Sequence, residues 1–244
     1  PALIASLSAI SLELARATAA TLDSAIHLAL SRVAALASAD GAFVYQFSAD
    51  ALTLSITHQH AAAGFETYFP VVERLSVQAF PEPIQAALEG RVIEAPDVEA
   101  LSPEVAPVAA ALRAFGLRGV LAVPLVDART VLGGVGFSWV SRPGEYSPAM
   151  LSVLQTVGQL IAGALVRVRS QHDLAEAESR LRSYIATTAE GIGCFELEGE
   201  GLDTSLPIDE QYELMRDSVL VDCNEVYALM RGSKRADVVG LRLR

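Results

Sequence analysis

Lysine is nearly absent from the sequence. Lys234 is the only lysine in 244 residues, and the formal net charge at pH 7 is −11. Proteins that bind nucleic acid neutralise phosphates with clustered Lys and Arg, and anionic lipid attracts the same side chains. The acidic residues are spread along the chain, and their distribution indicates no particular partner. We therefore expect neither nucleic acid nor a membrane surface as a partner.

Cysteine and long apolar runs are also scarce. The two cysteines, Cys194 and Cys223, make neither a disulfide framework nor a zinc site. The best apolar run, residues 160–166, is too short to span a membrane and is followed by Arg167 and Arg169. The N-terminus lacks the basic start of a signal peptide. We expect a reduced, cytoplasmic location, and the first residue, proline rather than methionine, indicates a piece of a longer protein.

The sequence contains none of the common catalytic motifs. There is no Gly-x-Ser-x-Gly elbow, no P-loop and no Gly-x-Gly-x-x-Gly. Residues 133–136 (GGVG) are rich in glycine, but they lie inside a predicted strand, where glycine permits close packing or a bulge. We expect no catalytic residue in this stretch of chain and no resident metal, and we assign any catalytic output to sequence beyond residue 244.

What the sequence does contain is ample core material, since 52% of its residues are hydrophobic. Apolar spacing of three and four predicts a helix over residues 3–38. Alternation predicts a hairpin over residues 43–60 and a second one over residues 119–140. Short helices broken by proline and one short strand lie between the hairpins. The predicted fold class is α/β (α+β), with an antiparallel sheet flanked by helices.

A long helix is predicted from Pro148 to about Thr188. Beyond Arg169 its apolar seam shifts by one position, and charged residues surround Leu174, Leu181 and Ile185. An exposed helix with a narrow seam usually pairs with a copy of itself. We therefore expect a coiled-coil-type connector and a homodimer formed through the N-terminal and connector helices. We expect a ligand-dependent switch where the apolar seam shifts by one position.

The order of these elements resembles that of a GAF domain over about residues 11–170. The resemblance is carried by residues 86–98 (AALEGRVIEAPDV), 119–125 (GVLAVPL) and 131–137 (VLGGVGF). It implies a small-molecule-sensing domain with a cavity between the sheet and its covering helices. We assign residues 1–170 to this GAF-like domain and residues 148–188 to the connector.

The C-terminal stretch, residues 189–244, resembles the N-terminal part of a PAS domain. Residues 189–192 (AEGI), 221–227 (VDCNEVY) and 238–241 (VVGL) are similar to that family's first strand, asparagine turn and glycine signature. The resemblance stops before the remaining strands of the family. It therefore implies a partial PAS fold without a complete pocket.

Two histidines are the sharpest candidates for ligand contact. If the strand alternates strictly, His58 and His60 extend the apolar face of Leu54 and Ile56, which would border the cavity. They could contact a ligand or hold a metal, although His-x-His alone lacks further metal ligands. Strand-end histidines satisfied by water or backbone are the commoner alternative.

Aromatic residues are the second group of candidates. Phe137 and Trp139 alternate onto one face of the second hairpin, and Tyr45 lies between two phenylalanines in the first. Core packing is the better interpretation, and an aromatic lining for a planar ligand is the alternative.

The ligand itself is not predicted. The GAF-like part has no cysteine to anchor a bilin of the phytochrome type or to support a methionine sulfoxide reductase, and the single lysine rules out the Asn-Lys-x-Phe-Asp-Glu run of cyclic-nucleotide GAF domains. The favoured function is a regulatory sensor module of a bacterial signalling protein: a histidine kinase, a diguanylate cyclase or phosphodiesterase, or a transcription regulator. The alternative is a ligand-free GAF scaffold used only for dimerisation and protein interaction.

Overall fold

A computed structural model describes residues 2–65, 74–79, 81–128, 130–197, 204–216 and 218–242. The chain divides into two compact units, Pro1–His172 and Asp173–Arg244. Each unit has a hydrophobic core of its own.

The N-terminal region contains two helices, α1 (Ala2–Arg16) and α2 (Leu22–Ala37), so the prediction of one helix over residues 3–38 is wrong. The apolar spacing of three or four is interrupted between Leu14 and Leu22. In that gap the backbone N–H of Thr18 donates a hydrogen bond to the hydroxyl of Thr21 at 3.0 Å. Local side-chain bonds of this kind compete with the helical ladder, which explains why the chain turns here.

Six described strands form one antiparallel sheet, as the sequence predicted. They are β1 (Gly41–Phe47), β2 (Thr53–Ala61), β3 (Leu75–Ser76), β4 (Ile93–Ala95), β5 (Gly119–Asp127) and β6 (Thr130–Trp139). Their order is β3-β2-β1-β6-β5-β4. The two predicted hairpins are β1–β2 and β5–β6, and they meet where β1 pairs with β6 at the centre of the sheet.

The two faces of the sheet are covered differently. One face packs against α1, α2 and the first half of the long helix α5 (Pro148–Thr187), and it contains most of the buried side chains of the unit. The other face carries a smaller apolar cluster beneath α3 (Pro81–Leu88) and α4 (Ala106–Ala114). We call these the helix face and the cavity face.

The long helix changes character along its length. Eight residues between Val153 and Val168 are buried in the core of the first unit. By contrast, Leu174, Leu181 and Tyr184 are 61%, 59% and 67% exposed. Among the described residues, α5 is the one helix whose length and composition would suffice to cross a membrane. The first half of α5 is apolar because it is buried in the core of the first unit.

The second unit contains the two-stranded antiparallel pair β7 (Gly193–Glu196) and β8 (Val219–Cys223), with α6 (Ile208–Arg216), α7 (Glu225–Met230) and α8 (Arg235–Val238). Asn224, at the N-terminus of α7, joins its parts. Its Oδ1 accepts hydrogen bonds from the N–H groups of Ile192 and Tyr227, and its Nδ2 donates to the carbonyls of Ile185 and Glu190. Each hydrogen-bonding position of this buried amide is used.

Candidate functional site

A cavity of about 440 Å³ lies on the cavity face of the sheet. Strands β1, β2, β4 and β5 form its floor, and α3 and α4 partly cover it. This volume lies within the range of small-molecule sites. Its lining is almost entirely aliphatic and aromatic, and it includes Phe43, Tyr45, Ile56, Ile84, Val108 and Ala122.

Tyr45 lines the cavity, and its hydroxyl is buried against Gly134 of β6. The side chain is 6% exposed, and its hydroxyl has no hydrogen-bond partner among the described residues. Burial raises the pKa of Tyr45 well above its ordinary value, so the phenol stays neutral and keeps its proton. A buried hydroxyl without a partner is costly unless a ligand or water satisfies it.

Glycines on β6 make room for the aromatic rings of β1. A Cβ atom built on Gly134 would lie 2.5 Å from the hydroxyl oxygen of Tyr45, and one built on Gly136 would lie 2.9 Å from Cζ of Phe43. The ring of Tyr45 also meets Phe47 edge to face, with 5.6 Å between centroids. The residues predicted as a close-packing glycine run thus let two aromatic rings lie directly on the neighbouring strand.

Charged residues of the lining lie at its rim. Glu82, Arg91 and Glu94 are all exposed. Arg91 is engaged by Glu89, with 2.6 Å between Nη2 and Oε2. Burial, reinforced by the charge of Glu94 and a hydrogen bond with it, raises the pKa of Tyr146 to about 12. The interior of the described cavity therefore contains no charged side chain.

His58 and His60 face away from this cavity, and the prediction that they share a face with Leu54 and Ile56 is wrong. The reason is a β-bulge: Val44 pairs with His58, but the next residue, Tyr45, pairs with Ile56. The extra residue in β2 reverses the alternation. Both histidines consequently point to the helix face, as do their partners Val44 and Ala42.

On that face His58 is bound by α2. Its Nε2 lies 3.1 Å from Oδ1 of Asp23, and its ring meets that of His27 with 5.3 Å between centroids. Burial lowers the pKa of His58, and the hydrogen bond to Asp23 partly opposes this effect. Ligand contact by His58 or His60 stays a prediction. Because both residues lie on the helix face, a ligand in this cavity would not contact them.

Phe137 and Trp139 share a face, as their alternation predicted, but it is the helix face. Both are fully buried, and Trp139 stacks on Tyr146 with 6.1 Å between centroids. The structure therefore places them in the core. Of the five sequence candidates for ligand contact, Tyr45 alone lines the cavity.

The roof residues were not among the candidates. Ile84 and Val108 belong to α3 and α4, two short helices in the proline-rich middle of the chain. The buried residues of α3, Ile84 and Ala87, are spaced like one face of a helix, but the sequence does not reveal what they cover. Within the described part of the chain, no group of three or more His, Cys, Asp or Glu side chains is arranged to hold a metal ion.

These features define a class of protein, an α+β domain with a helical layer on one side of an antiparallel sheet and an apolar cavity on the other. The family model for the GAF domain matches residues 21–165, more than half of the chain. The chain belongs to the GAF domain family. This confirms the GAF resemblance found in the sequence and is consistent with a sensory module.

Solved structures with the same fold include several chromophore-binding domains. The chromophore-binding domain of a bacteriophytochrome from R. palustris has a TM-score of 0.59 and 15% identity, and the match covers 69% of this chain and 62% of that one. The phycocyanobilin-bound GAF domain of a cyanobacterial phytochrome has a TM-score of 0.58 and 15% identity, with 70% and 97% covered.

A GAF domain from another kind of protein is also similar. It comes from an Acinetobacter phosphoenolpyruvate-protein phosphotransferase, with a TM-score of 0.52, 14% identity, and 68% and 94% covered. No curated protein matches the chain. At these identities the structural neighbours establish the fold and no specific ligand.

Proposed function

We propose that this chain is a regulatory sensor module of a bacterial signal-transduction protein, which binds a small ligand on the cavity face and passes the change to a dimeric helix. The observation that carries the proposal is the apolar cavity of about 440 Å³, which lies in a domain of a sensory family. Two of the structural neighbours are bound to biliverdin or phycocyanobilin. These neighbours support the binding of a ligand by this domain, but they do not identify that ligand.

The exposed part of α5 supports a homodimer. Leu174, Ala177, Leu181 and Tyr184 repeat at spacings of three and four and are all exposed; we call them the connector seam. The ion pairs Glu176–Arg180 and Glu178–Arg182 lie beside this seam. An apolar seam flanked by charges on a long helix is the pattern of a two-stranded coiled coil, and a second copy of the chain would cover it. α1 would contribute through its exposed Leu12.

The path for a signal follows from packing inside the first unit. α5 packs against the helix face through residues such as Gly158. The Cα of Gly158 faces the side chains of Val123 in β5 and Val135 in β6. Arg167 of α5 also donates hydrogen bonds to the carbonyls of Leu14 in α1 and of Ala17 just after it. A ligand that prefers one arrangement of sheet and helices would shift the population of that arrangement in the dimer.

We further propose that the second unit is the N-terminal part of a PAS domain. Its support is the antiparallel pair β7–β8 and the buried Asn224, which lies at the asparagine turn of the resemblance. In this proposal the chain itself has no catalytic role. Output would be a histidine kinase, a diguanylate cyclase or phosphodiesterase, or a transcription regulator, in the cytoplasm.

Native mass spectrometry of freshly purified protein tests the sensor proposal. A dimer that carries a small molecule supports it. A clean ligand-free dimer that takes up no probe molecule contradicts it and supports the alternative, a GAF scaffold used only for dimerisation.

Analytical ultracentrifugation tests the dimer separately. We expect Leu181→Glu to raise the dimer dissociation constant at least tenfold, because it places a charge in the connector seam. Ser179→Glu adds the same charge on another face of α5 and is the matched control. Equal dissociation constants for the two variants would contradict the proposed seam.

A further inference from the structure

We propose that Gly134 sets the size of the cavity, because the absence of a side chain at this position keeps the ring of Tyr45 on β6 and out of the cavity. This inference rests on the proposed function, since it names a residue that determines which ligands fit the same site. Gly134 touches no ligand in this proposal. It acts through Tyr45 and is a positioning residue.

The described floor of the cavity has no residue from β6, although β6 lies between β1 and β5, which both line it. Gly134 and Gly136 occupy two positions of β6 on the cavity face. They pair with Tyr45 and Phe43 of β1, whose side chains point to the same face. The two rings lie where side chains of β6 would otherwise be. The floor above β6 is therefore made by rings from the neighbouring strand.

Gly134 differs from the other glycines of this run in what surrounds it. A Cβ atom built there would lie 2.5 Å from Cε1, Cζ and the hydroxyl oxygen of Tyr45, and these are its nearest atoms. Real Cβ atoms do not approach other atoms this closely, so the ring would have to move. A Cβ atom on Gly133 or Gly136 would meet backbone atoms first. At Gly134 a methyl group thus collides with a side chain, which can move, and not with the backbone of a strand.

The surroundings of Tyr45 decide where a displaced ring would go. The residue is 6% exposed, so other residues surround it on most sides. Phe43 and Phe47 are its neighbours along β1, with 6.4 Å and 5.6 Å between ring centroids. The open space that it borders is the cavity that it lines. A side chain at position 134 would therefore push the ring into the cavity and reduce the volume open to a ligand.

The volume of the cavity makes this effect measurable. An apolar cavity of about 150 Å³ is enough to bind benzene. The cavity here measures about 440 Å³, so the original chain has room for two fused rings with a short substituent. With the ring of Tyr45 inside the cavity, a benzene molecule would still fit, whereas a larger molecule would compete with the ring for space.

Three apolar probes of increasing size test this role: benzene, naphthalene and 2-isopropylnaphthalene. Their binding to the full chain is measured by isothermal titration calorimetry. We expect the original chain to bind the largest probe most tightly, because it buries the most apolar surface. Gly134→Ala should weaken the binding of 2-isopropylnaphthalene at least about tenfold and that of benzene less than about twofold. Gly163→Ala adds the same methyl group where no atom lies within 4 Å, and this matched control should leave all three affinities unchanged.

Tyr45→Leu completes a double-mutant cycle. In the Tyr45→Leu chain a methyl group at position 134 has no ring to displace, so Gly134→Ala should change each affinity by less than about twofold. An equal loss of 2-isopropylnaphthalene binding in both chains would overturn the inference. A Gly134→Ala chain that fails to fold would also overturn it, because the ring would then have no room to move toward the cavity.

The outcomes separate this role from the sensor role. If the probes bind the original chain and Gly134→Ala weakens all of them equally or none of them, Gly134 does not set the size of the cavity and the sensor role stands. If no probe binds the original chain and the purified protein carries no small molecule, the sensor role itself fails, and the role of Gly134 fails with it.

Discussion

Arg167 ties the long helix to the end of the N-terminal helix, and replacing it tests whether that contact is an energetic link. Its Nη2 donates to the carbonyl of Leu14 at 2.8 Å and to that of Ala17 at 3.2 Å. These carbonyls lie at the C-terminus of α1, where the helix dipole favours positive charge. The guanidinium is partly buried against them.

The magnitude follows from the two contributions. A hydrogen bond to a charged group contributes about 1.5–3 kcal/mol, and a cation at a helix C-terminus about 0.3–1 kcal/mol. Arg167 is only partly buried, so solvent weakens both contributions. We expect Arg167→Met to lower the free energy of unfolding by about 2 kcal/mol. For a chain of this size that corresponds to a fall in Tm of roughly 4–8 °C.

Differential scanning calorimetry measures the loss, and Arg169→Met is the matched control. Arg169 lies two residues further along α5 and is exposed, and Met has nearly the same helix propensity as Arg. Hydrogen exchange at the last turn of α1 should accelerate in the Arg167 variant and not in the control. Equal melting temperatures for the two variants would refute an energetic link between α1 and α5.

Three further substitutions probe the core, the second unit and the pH dependence. Leu154→Ala should lower the free energy of unfolding by about 2–5 kcal/mol in urea titrations, because Leu154 is fully buried; a loss no larger than that of the half-exposed Leu12→Ala would contradict the packing described. Asn224→Ala should accelerate hydrogen exchange at the amides of Ile192 and Tyr227, which lose their acceptor; unchanged protection would show that the amide is dispensable. Burial holds the pKa of His58 below its ordinary value near 6.5, so the unfolded chain binds the proton more readily and the free energy of unfolding falls as the pH drops below about 6.5. His58→Asn should flatten that part of the urea-midpoint profile between pH 7 and 5, and a slope equal to that of the original chain would refute the assignment.

Element type and order followed from local pattern. Alternation predicted β1, β2, β5 and β6, and spacing of three and four predicted α5 to within a residue of its end. Both signals are local, because a strand or helix that buries one face repeats its apolar residues with its own period. The change of α5 at Arg169 was visible in the same way, as an apolar seam that shifts and narrows.

The orientation of individual side chains did not follow from local pattern. Strict alternation put His58 beside Ile56, but the register between β1 and β2 slips at Val44 and Tyr45 and turns the histidine to the other face. A bulge is a property of two paired strands. The break between α1 and α2 was likewise hidden, because alanines and threonines in the gap tolerate both helix and turn.

What the sequence by itself determined is therefore the class of fold, the family, and the absence of a thiol anchor from the GAF domain. Only the tertiary structure decided which aromatic residues lie in the core and which at the cavity. Phe137 and Tyr45 have the same kind of strand pattern, yet the sheet places them on opposite faces. The cavity exists because α3 and α4, distant in sequence from β1, cover that face without filling it. Contacts across so many residues leave no periodic trace in the chain, and for that reason they had to be seen in three dimensions.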